Sequence, residues 1–575
     1  MQPGQPGSPA QPDLTRALDA ADLEDLARRL EISPFLAGLL WRRGLRGFEE
    51  MNRFLDPGLR YLPSLDDWPG LKDLAARIGA GVLAGKKLLV WGDYDVDGIT
   101  ATALVVDFFR QHGIEVSGHI PDRMGEGYGL NVPDLELLAG QGCKMLLTVD
   151  CGICDLAEVG RAKELGLEVF VSDHHLPGEE LPEADGICAP TVGDCPSPHL
   201  AGVGVAFMLM AAVNLYLEQQ GRERVDIRNL LDLVALGTLA DVANLSGDNR
   251  ILVKNGLLVL AEARRPGLAA LKASSNYAPN AALGAGQVVF TLAPRINAAG
   301  RMGRSDVALR MLLTENRDEA ASCAAALESM NAQRRSEEDL IIREAREQAA
   351  RFVKSGSLGL VLYQPDWHMG VIGIVASRVV EEFHRPTIIL CNNHERIKGS
   401  GRSVEDFDLH AALGECADLF LSFGGHKMAA GLTIAYENLA PFRERFDAEV
   451  RKSFGDRPPP TKIKTDGELS MTQIMDFTLL KELEMLQPFG LGNAEPVFVS
   501  PPLLLREVRN RPGLSILDVL DEESGISAKA KIWRPREDLP QSSKGRRLRL
   551  AFSPRIDRYN GAANVEIRVR DWHFG

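Results

Sequence analysis

The sequence predicts an α/β chain of several domains: a doubly wound, mostly parallel sheet, a long helical connector, a second and smaller α/β domain, and a C-terminal β-barrel or sandwich. Three observations predict it. The 575 residues are too many for one hydrophobic core and divide into several domains of common size. From 86 to 200, strand-like apolar runs alternate with helical stretches in the βαβ manner, and a shorter pattern of the same kind returns from 357 to 453. Beyond 465 the helical period gives way to short β-patterned runs: LLLREV, LSILDVL, SAKAKIW, RLRLAFS and NVEIRVRDW.

In chain order, residues 1–13 (MQPGQPGSPAQPD) predict a disordered tail, since they lack the basic stretch and apolar run of a signal peptide. Residues 14–85 carry short helical patterns and proline turns and form an N-terminal cap region. The main catalytic domain is expected over 86–304. Its most apolar segment, GVGVAFMLMAAVNLYL (202–217), is shorter than the ~20 residues a bilayer crossing needs and predicts a buried helix. Ser305 to Ser355 contains no Gly or Pro, which predicts a helical connector over 305–355, interrupted at Thr314-Glu315-Asn316 where a cap restarts it. The second domain spans 356–454. GDRPPPTKIK (455–464) is a linker, because successive prolines continue neither helix nor sheet, and 465–575 is the β domain.

Hydrophobic residues at 45% and charged residues at 25% describe a globular protein. Eight scattered cysteines form no disulfide framework and point to the reducing cytoplasm. The net charge of -14 excludes a uniformly basic surface but not a basic patch. Residues 529–575 hold twelve Lys or Arg against five Asp or Glu, a local +7. Trp533, Phe552, Tyr559 and Trp572 lie among them and offer stacking to unpaired bases; a solvated basic sheet face with core aromatics is the plainer alternative.

The chemistry concentrates where four apolar runs stop, each taken here as a strand: Asp93, Asp95 and Asp97 after KKLLVW, Asp150 after KMLLTV, Asp173-His174-His175 after LEVFVS, and Asp241 after LVALGTLA. Ligands of open α/β sheets gather at the carboxyl ends of strands where strand order reverses. Crowded carboxylates are unfavourable unless cations neutralise them, so a polynuclear metal site follows. The alternative for the first motif is an Asp-rich turn capping the helix that begins near Ile99. Carboxylate and imidazole without thiolate suit Mn or Mg, with histidine favouring Mn, and two such ions support phosphodiester hydrolysis. Cys151 and Cys154 have redox spacing, but core packing is the default for both; Gly202-Val203-Gly204 lacks the third glycine of a dinucleotide loop. PRINAAGRMGRS (294–305) reads as a small-residue loop in which Arg295, Arg301 and Arg304 can meet phosphate, with Asn297 beside them. GSGRS (399–403) and FGGHKMAAG (423–431) read as glycine-rich loops bearing Ser400, Arg402, His426 and Lys427, with Gly424 and Gly425 opening main-chain N–H groups to an anion.

The order WGDYDVDG, VDCGI, SDHH, ALGTLADV, PRINAAGRMG, WHMGVIGIVASR, GSGRS, FGGHKMAAG resembles the DHH phosphoesterase family. Within it the likeness is to the bacterial exonucleases specific for single strands, and it covers roughly residues 85 to 435. It implies 5'-to-3' degradation of single-stranded DNA in recombination and in mismatch and base-excision repair, with Mn or Mg, two ions together. Carried over by motif position, the catalytic metal ligands are Asp95, Asp97, Asp150, His174 and Asp241, with His175 in the inner site and Asp93 at its border. Arg123, Arg301, Ser400 and Arg402 correspond to a 5'-phosphate pocket, and the C-terminal β region to an OB fold. A monomer is implied, working with a single-strand-binding protein and a helicase. Trp91 departs from the family, several members of which carry histidine there. Two rivals stand beside this expectation: a phosphodiesterase for short oligonucleotides or cyclic dinucleotides, and a DNA-binding scaffold without chemistry.

Overall fold

The structure is a computed structural model and describes residues 19–121, 129–460, 462–535, 539–558 and 563–574. The tail 1–13, Arg123 and Tyr559 lie outside the described residues. The chain folds into two compact units, one of residues 64–241 and 256–463, the other of residues up to 63, 242–255 and 464–575.

The larger unit holds two sheets. The first contains β1 (Leu88–Gly92), β2 (Ser117–His119), β3 (Met145–Val149), β4 (Glu168–Ser172) and β5 (Gly186–Cys188) in the order β2-β1-β3-β4-β5, with all neighbours parallel. Every residue of β1 and β3 is buried, which is why these strands read as unbroken apolar runs. Leu89, Trp91, Leu146 and Val169 share a core with Leu135, Val159 and Ala162 from the helices Val132–Gly140 and Leu156–Glu164. On the other face the helix Leu71–Leu83 comes so close that a Cβ on Gly81 would lie 2.4 Å from the Met145 sulfur. Helices therefore cover both faces, and strand order reverses between β1 and β3.

LVALGTLA is not a strand: it forms the helix Leu231–Ala240, and Asp241 caps its C-terminus. A continuous apolar run does not distinguish a buried strand from a buried helix. The segment after Ala201 is the helix Gly202–Gln219, long and apolar enough to cross a membrane by length and composition, with 72% of that window buried inside the protein. PRINAAGR is helical too, within Ala293–Arg301. The connector breaks where expected: Ser305–Leu313 ends, Asn316 accepts from the N–H groups of Asp318 and Glu319, and Arg317–Lys354 runs for 38 residues. Its first helix packs against the helices of the first domain and the second reaches the helix Met369–Phe383.

The second sheet contains β6 (Leu360–Tyr363), β7 (Thr387–Asn393), β8 (Arg396–Arg402), β9 (Phe420–His426) and β10 (Ala429–Ile434) in the order β6-β7-β8-β10-β9. GSGRS and FGGH therefore lie mainly in β8 and β9, where loops were expected. Packing selects the glycines of β8: a Cβ on Gly399 would lie 2.4 Å from Leu390, and one on Gly401 2.5 Å from Ile388.

The smaller unit contains β11 (Gly467–Glu468), β12 (Phe498–Val499), β13 (Leu503–Arg511), β14 (Leu514–Leu520), β15 (Ser527–Trp533), β16 (Arg547–Asp557) and β17 (Asn564–Phe574). The strands β16-β13-β14-β15-β17 form a ring that β16–β17 pairing closes, giving the expected barrel and leaving it no free edge. Leu36, Leu39, Leu40 and Met51 share its core, so the segment 14–85 divides near residue 63. Arg250, fully buried, ties 242–255 into this unit by donating to the carbonyls of Phe54 (2.9 Å), Leu486 (3.0 Å), Met485 (3.3 Å) and Gln487 (2.9 Å).

Six of the twelve basic residues of 529–575 form ion pairs inside the same unit. Lys531 meets Asp557 and Glu566, Arg547 meets Glu522, Arg549 meets Glu468, Arg555 and Arg570 share Glu495, and Arg558 meets Glu484. Phe552 is core and Trp572 is half-buried against it; Trp533 is exposed.

Candidate metal centre

The acids of the first motif sit at the end of β1 and the start of the helix Val96–Gln111. Asp95 is the N-cap, its Oδ1 accepting from Asp97 N (2.8 Å) and Gly98 N (3.1 Å), so the capping alternative describes this residue correctly without accounting for its neighbours. Asp97 is buried and held from outside the motif: Gly202 N donates to Oδ2 at 2.7 Å and Val203 N to Oδ1 at 2.9 Å. The first turn of the Gly202–Gln219 helix thus presents its N–H groups and positive dipole end to a carboxylate.

Asp150 ends β3 with φ +61, a left-handed conformation uncommon for a non-glycine residue. Asp150 N donates to Ser172 O at 2.9 Å. Its Oδ1 is buried without a hydrogen-bond partner of good geometry, although His174 Nε2 stands 3.1 Å away. His174 Nε2 also lies 4.0 Å from Asp97 Oδ2, and His175 Nδ1 4.0 Å from Asp150 Oδ1.

Asp173 does different work. Its Oδ2 accepts from Ile153 N (3.0 Å), and its Oδ1 from His174 N (2.7 Å), His175 N (3.1 Å) and His175 Nδ1 (2.8 Å). It orients the triplet, and with Nδ1 engaged, Nε2 is the nitrogen His175 can turn to a cation.

The donor atoms converge in three sets, each within 4.8 Å: Asp150 with His174 and His175; Asp97 with His174 and Asp241; Asp93 with Asp95 and Asp150. Four segments far apart in sequence supply them. Burial, then the charges of Asp241 and Asp95, pushes Asp97 well above the usual carboxylate range. Burial and the charges of Asp97, Asp95, Asp93 and Asp173 do the same to Asp150, and burial with Asp95 lifts Asp241 to about 7. Burial and neighbouring His175 lower His174 to about 4. For His175 burial opposes the charged form, but the bond and charge of Asp173 prevail and raise it to about 9. Asp173 itself is pushed up by burial and held below its ordinary value by His175 and the surrounding N–H groups. A cluster of buried acids that resist ionisation, beside an imidazole whose proton is easily lost, is a donor set that fits divalent cations.

Glycines that sequence reasoning did not take as site residues let this cluster close. A Cβ on Gly98 would lie 2.4 Å from Asp93 N, on Gly202 2.4 Å from Asp150 Oδ1, and on Gly237 2.8 Å from Asp97 Oδ1. Cys154, expected in the core, is exposed, whereas Cys151 is buried. Trp91 is fully buried and packs against His119 with the rings tilted by 51°, centroids 4.3 Å apart.

The phosphate candidates separate into two groups. Arg295 is buried, bridged to Glu328 and bonded to Thr291 O (2.5 Å), so its guanidinium is engaged within the protein. Asn297 and Arg301 lie on the half-buried side of that helix. Arg301 Nη1 donates to Gly370 O at 2.6 Å, in the first turn of the helix Met369–Phe383. Three residues further along, a Cβ on Gly373 would lie 3.0 Å from Ser400 Oγ and 3.2 Å from Arg402 Nη2. Strand register aligns Ser400 with Gly431 and Gly424, and Arg402 with Ala429 and His426. These pairs share one face of the sheet; Gly425 falls in the alternate row with Ala430 and Gly401. Arg402 is held by its own strand, donating to Ser400 Oγ (3.1 Å) and Gly401 O (2.7 Å).

Residues 87–238 match the model of the DHH family, N-terminal domain, residues 356–452 that of the DHHA1 domain, and residues 465–571 that of the RecJ OB domain. The chain is 37% identical over 496 residues to the single-stranded-DNA-specific exonuclease RecJ of Salmonella typhimurium, covering 83% of each chain. Among solved structures it is similar to RecJ of Thermus thermophilus in complex with Mn2+, with TM-score 0.81 and 31% identity over 97% of this chain and 78% of that one. It is also similar to the same protein in complex with Mg2+, with TM-score 0.74 and 29% identity over 97% and 77%.

Proposed function

The chain belongs to the RecJ family of single-stranded-DNA-specific exonucleases, and from that premise we propose that it degrades single-stranded DNA from the 5' end, using two Mn2+ or Mg2+ ions. The convergence of Asp97, Asp150 and His174 with Asp93, Asp95, Asp241 and His175 at the reversal between β1 and β3 carries this assignment. Bound there, the cations supply an acidified water and charge neutralisation at the scissile phosphate. The residues do the rest. The Gly202 and Val203 N–H groups fix Asp97, the left-handed turn aims Asp150 between the other donors, and Asp173 sets the ring of His175. Arg301, Ser400 and Arg402 hold the terminal phosphate, so that the end binds first and the adjacent bond is presented to the acids. The domains are taken as 86–304, 356–454 and 465–575. Repair and recombination in the cytoplasm, as a monomer with a single-strand-binding protein and a helicase, are the setting this chemistry fits.

Single strands labelled at either end, incubated with and without Mn2+, test the assignment. Metal-dependent release of the 5' label first is expected. Asp97→Asn should lose at least about 10²-fold, the effect of several kcal/mol of lost metal assistance, while retaining strand binding. Release of the 3' label first, or equal cleavage without metal, would refute it. Faster hydrolysis of dinucleotides than of long strands would instead favour the short-oligonucleotide phosphodiesterase.

A further inference from the structure

The helix that delivers Asn297 and Arg301 begins with a feature the exonuclease assignment does not use. Ala285–Gln287, Val288–Leu292 and Ala293–Arg301 are consecutive helical segments, and the middle one is a π-turn. Pro294 lies four residues after Phe290; lacking an N–H, it leaves the Phe290 carbonyl without its α-helical donor, and its ring demands a wider turn there. The buried Arg295 guanidinium takes the next carbonyl, Thr291 O, at 2.5 Å. On this braced turn Phe290 projects with 76% of its surface exposed. Such exposure sets it apart from the phenylalanines of the same unit that are fully buried, Phe108, Phe109, Phe170, Phe442 and Phe446.

Phe290 is not isolated. From Phe290 to Arg301 the residues with accessible surface are 290, 291, 294, 297 and 301, all others being buried. The spacing i, i+4, i+7, i+11 is one face of a helix. That face runs without interruption from Phe290 through Pro294 and Asn297 to Arg301, next to Gly370. Its own segment adds no acid: residues 281–305 contain three arginines and no Asp or Glu, in a chain of net charge -14, and the acid bonded to this helix from outside, Glu328, is paired with Arg295.

We infer that Phe290 is a stacking platform for a base of the single-stranded substrate several nucleotides away from the phosphate at Arg301, an inference that rests on the exonuclease assignment above. Eleven residues of helix span about 16 Å. At ~3.4 Å of axis per phosphate in a stacked strand, that is about five nucleotides, and fewer if the strand is extended. Stacking on an aromatic face is tolerant of sequence, as a nuclease acting on any strand requires. Long strands feel Phe290 and very short ones do not.

The test uses the full chain with Phe290→Ala and Phe290→Trp, and oligonucleotides carrying a fluorescent adenine analogue at successive positions from a 5'-phosphate. Binding is read without divalent metal, so the measurement does not depend on cleavage. We expect quenching at one or two positions, lost in Phe290→Ala and kept in Phe290→Trp. We also expect KM for a 20-mer to rise about tenfold or more in Phe290→Ala, the size of one base–aromatic stack, with hydrolysis of a dinucleotide unchanged. Equal quenching in wild type and Phe290→Ala, or equal loss on dinucleotide and 20-mer, overturns the inference, as does a change of oligomeric state in Phe290→Ala, which assigns the face to a second copy. Failure of the wild type to cleave single strands overturns the exonuclease assignment instead.

Discussion

Gly202→Ala is a one-carbon probe of the metal centre. The added Cβ would lie 2.4 Å from Asp150 Oδ1 and 2.7 Å from its Cβ and Cγ, about 1 Å inside ordinary van der Waals contact. Neither side can yield cheaply. Asp150 is buried, its backbone is already left-handed, and its N–H is bonded to Ser172 O. The start of the Gly202–Gln219 helix cannot retreat without lengthening its 2.7 Å and 2.9 Å bonds to Asp97. The displacement therefore falls on one of two proposed ligands. A shift of about 1 Å at a reacting centre costs on the order of 10²-fold in rate, while overpacking one methyl costs roughly 1–3 kcal/mol of stability. The assay is kcat on a single strand at saturating Mn2+, with calorimetric Mn2+ titration and urea unfolding in parallel. The expected result is a kcat near ~1% of wild type with the fold retained. Gly204→Ala, two residues along the same helix, where the nearest atom to a new Cβ is the Leu200 side chain at 3.3 Å, should stay near wild type. A Gly202→Ala enzyme within about twofold of wild type in kcat and Mn2+ affinity would show that the approach of this helix to Asp150 does not matter to the site, and would refute the reasoning from its geometry.

Two further perturbations follow. Asp173→Asn replaces one acceptor oxygen among four N–H donors by an amide that cannot accept, so His175 loses its orientation; Mn2+ affinity or activity should fall about 10–100-fold, and unchanged Mn2+ titration would refute the orienting role. His112 is buried with Nε2 3.1 Å from Asn214 Oδ1, and burial, with Arg222 adding to it, lowers its pKa below 6.5 in spite of that bond. The unfolded chain therefore binds the proton more readily, so this contribution to stability is full above about pH 6.5 and is lost as pH falls through the folded value. His112→Gln should shrink the drop in urea midpoint between about pH 8 and about pH 5.5; an identical drop in both proteins would show that His112 does not contribute.

Period and chemistry were legible in the sequence, and direction was not. Unbroken apolar runs ending in Asp93, Asp150 and Asp173 marked the carboxyl ends of parallel strands correctly, because strands buried on both faces tolerate nothing else. The same kind of run before Asp241 proved helical, since an all-round buried helix shows no period to read. Glycine misled in a similar way. Gly399 and Gly401 suggested a loop, but they are strand residues paired with Leu390 and Ile388, whose side chains occupy the space a Cβ would need; composition records that a side chain is absent, not which neighbour excludes it. The charge count of 529–575 was legible, but part of its pairing was not: Glu468, Glu484, Glu495 and Glu522, which meet five of its arginines, lie outside the segment. Arg250 left no signal at all: its partners are main-chain carbonyls, which every residue has.

The helix Met369–Phe383 shows most directly why residues read one at a time understate a site. Its motif WHMGVIGIVASR contributed no candidate residue, since it carries neither acid nor glycine loop. Yet Arg301 donates to the carbonyl of Gly370, and Ser400 and Arg402 lie against the space where Gly373 has no side chain. Those glycines are three residues apart, about 4.5 Å along the axis. Arginines from segments about a hundred residues apart in sequence are thus brought beside one turn of one helix, Arg301 bonded to its main chain and Arg402 held by its own strand against the glycine gap. In the phosphate holder proposed above, the place of this helix turn would then matter as much as the two arginines. The glycine spacing in MGVIG was the available signal, and it acquires meaning only once the strand opposite is known to carry Ser400 and Arg402 on the facing side.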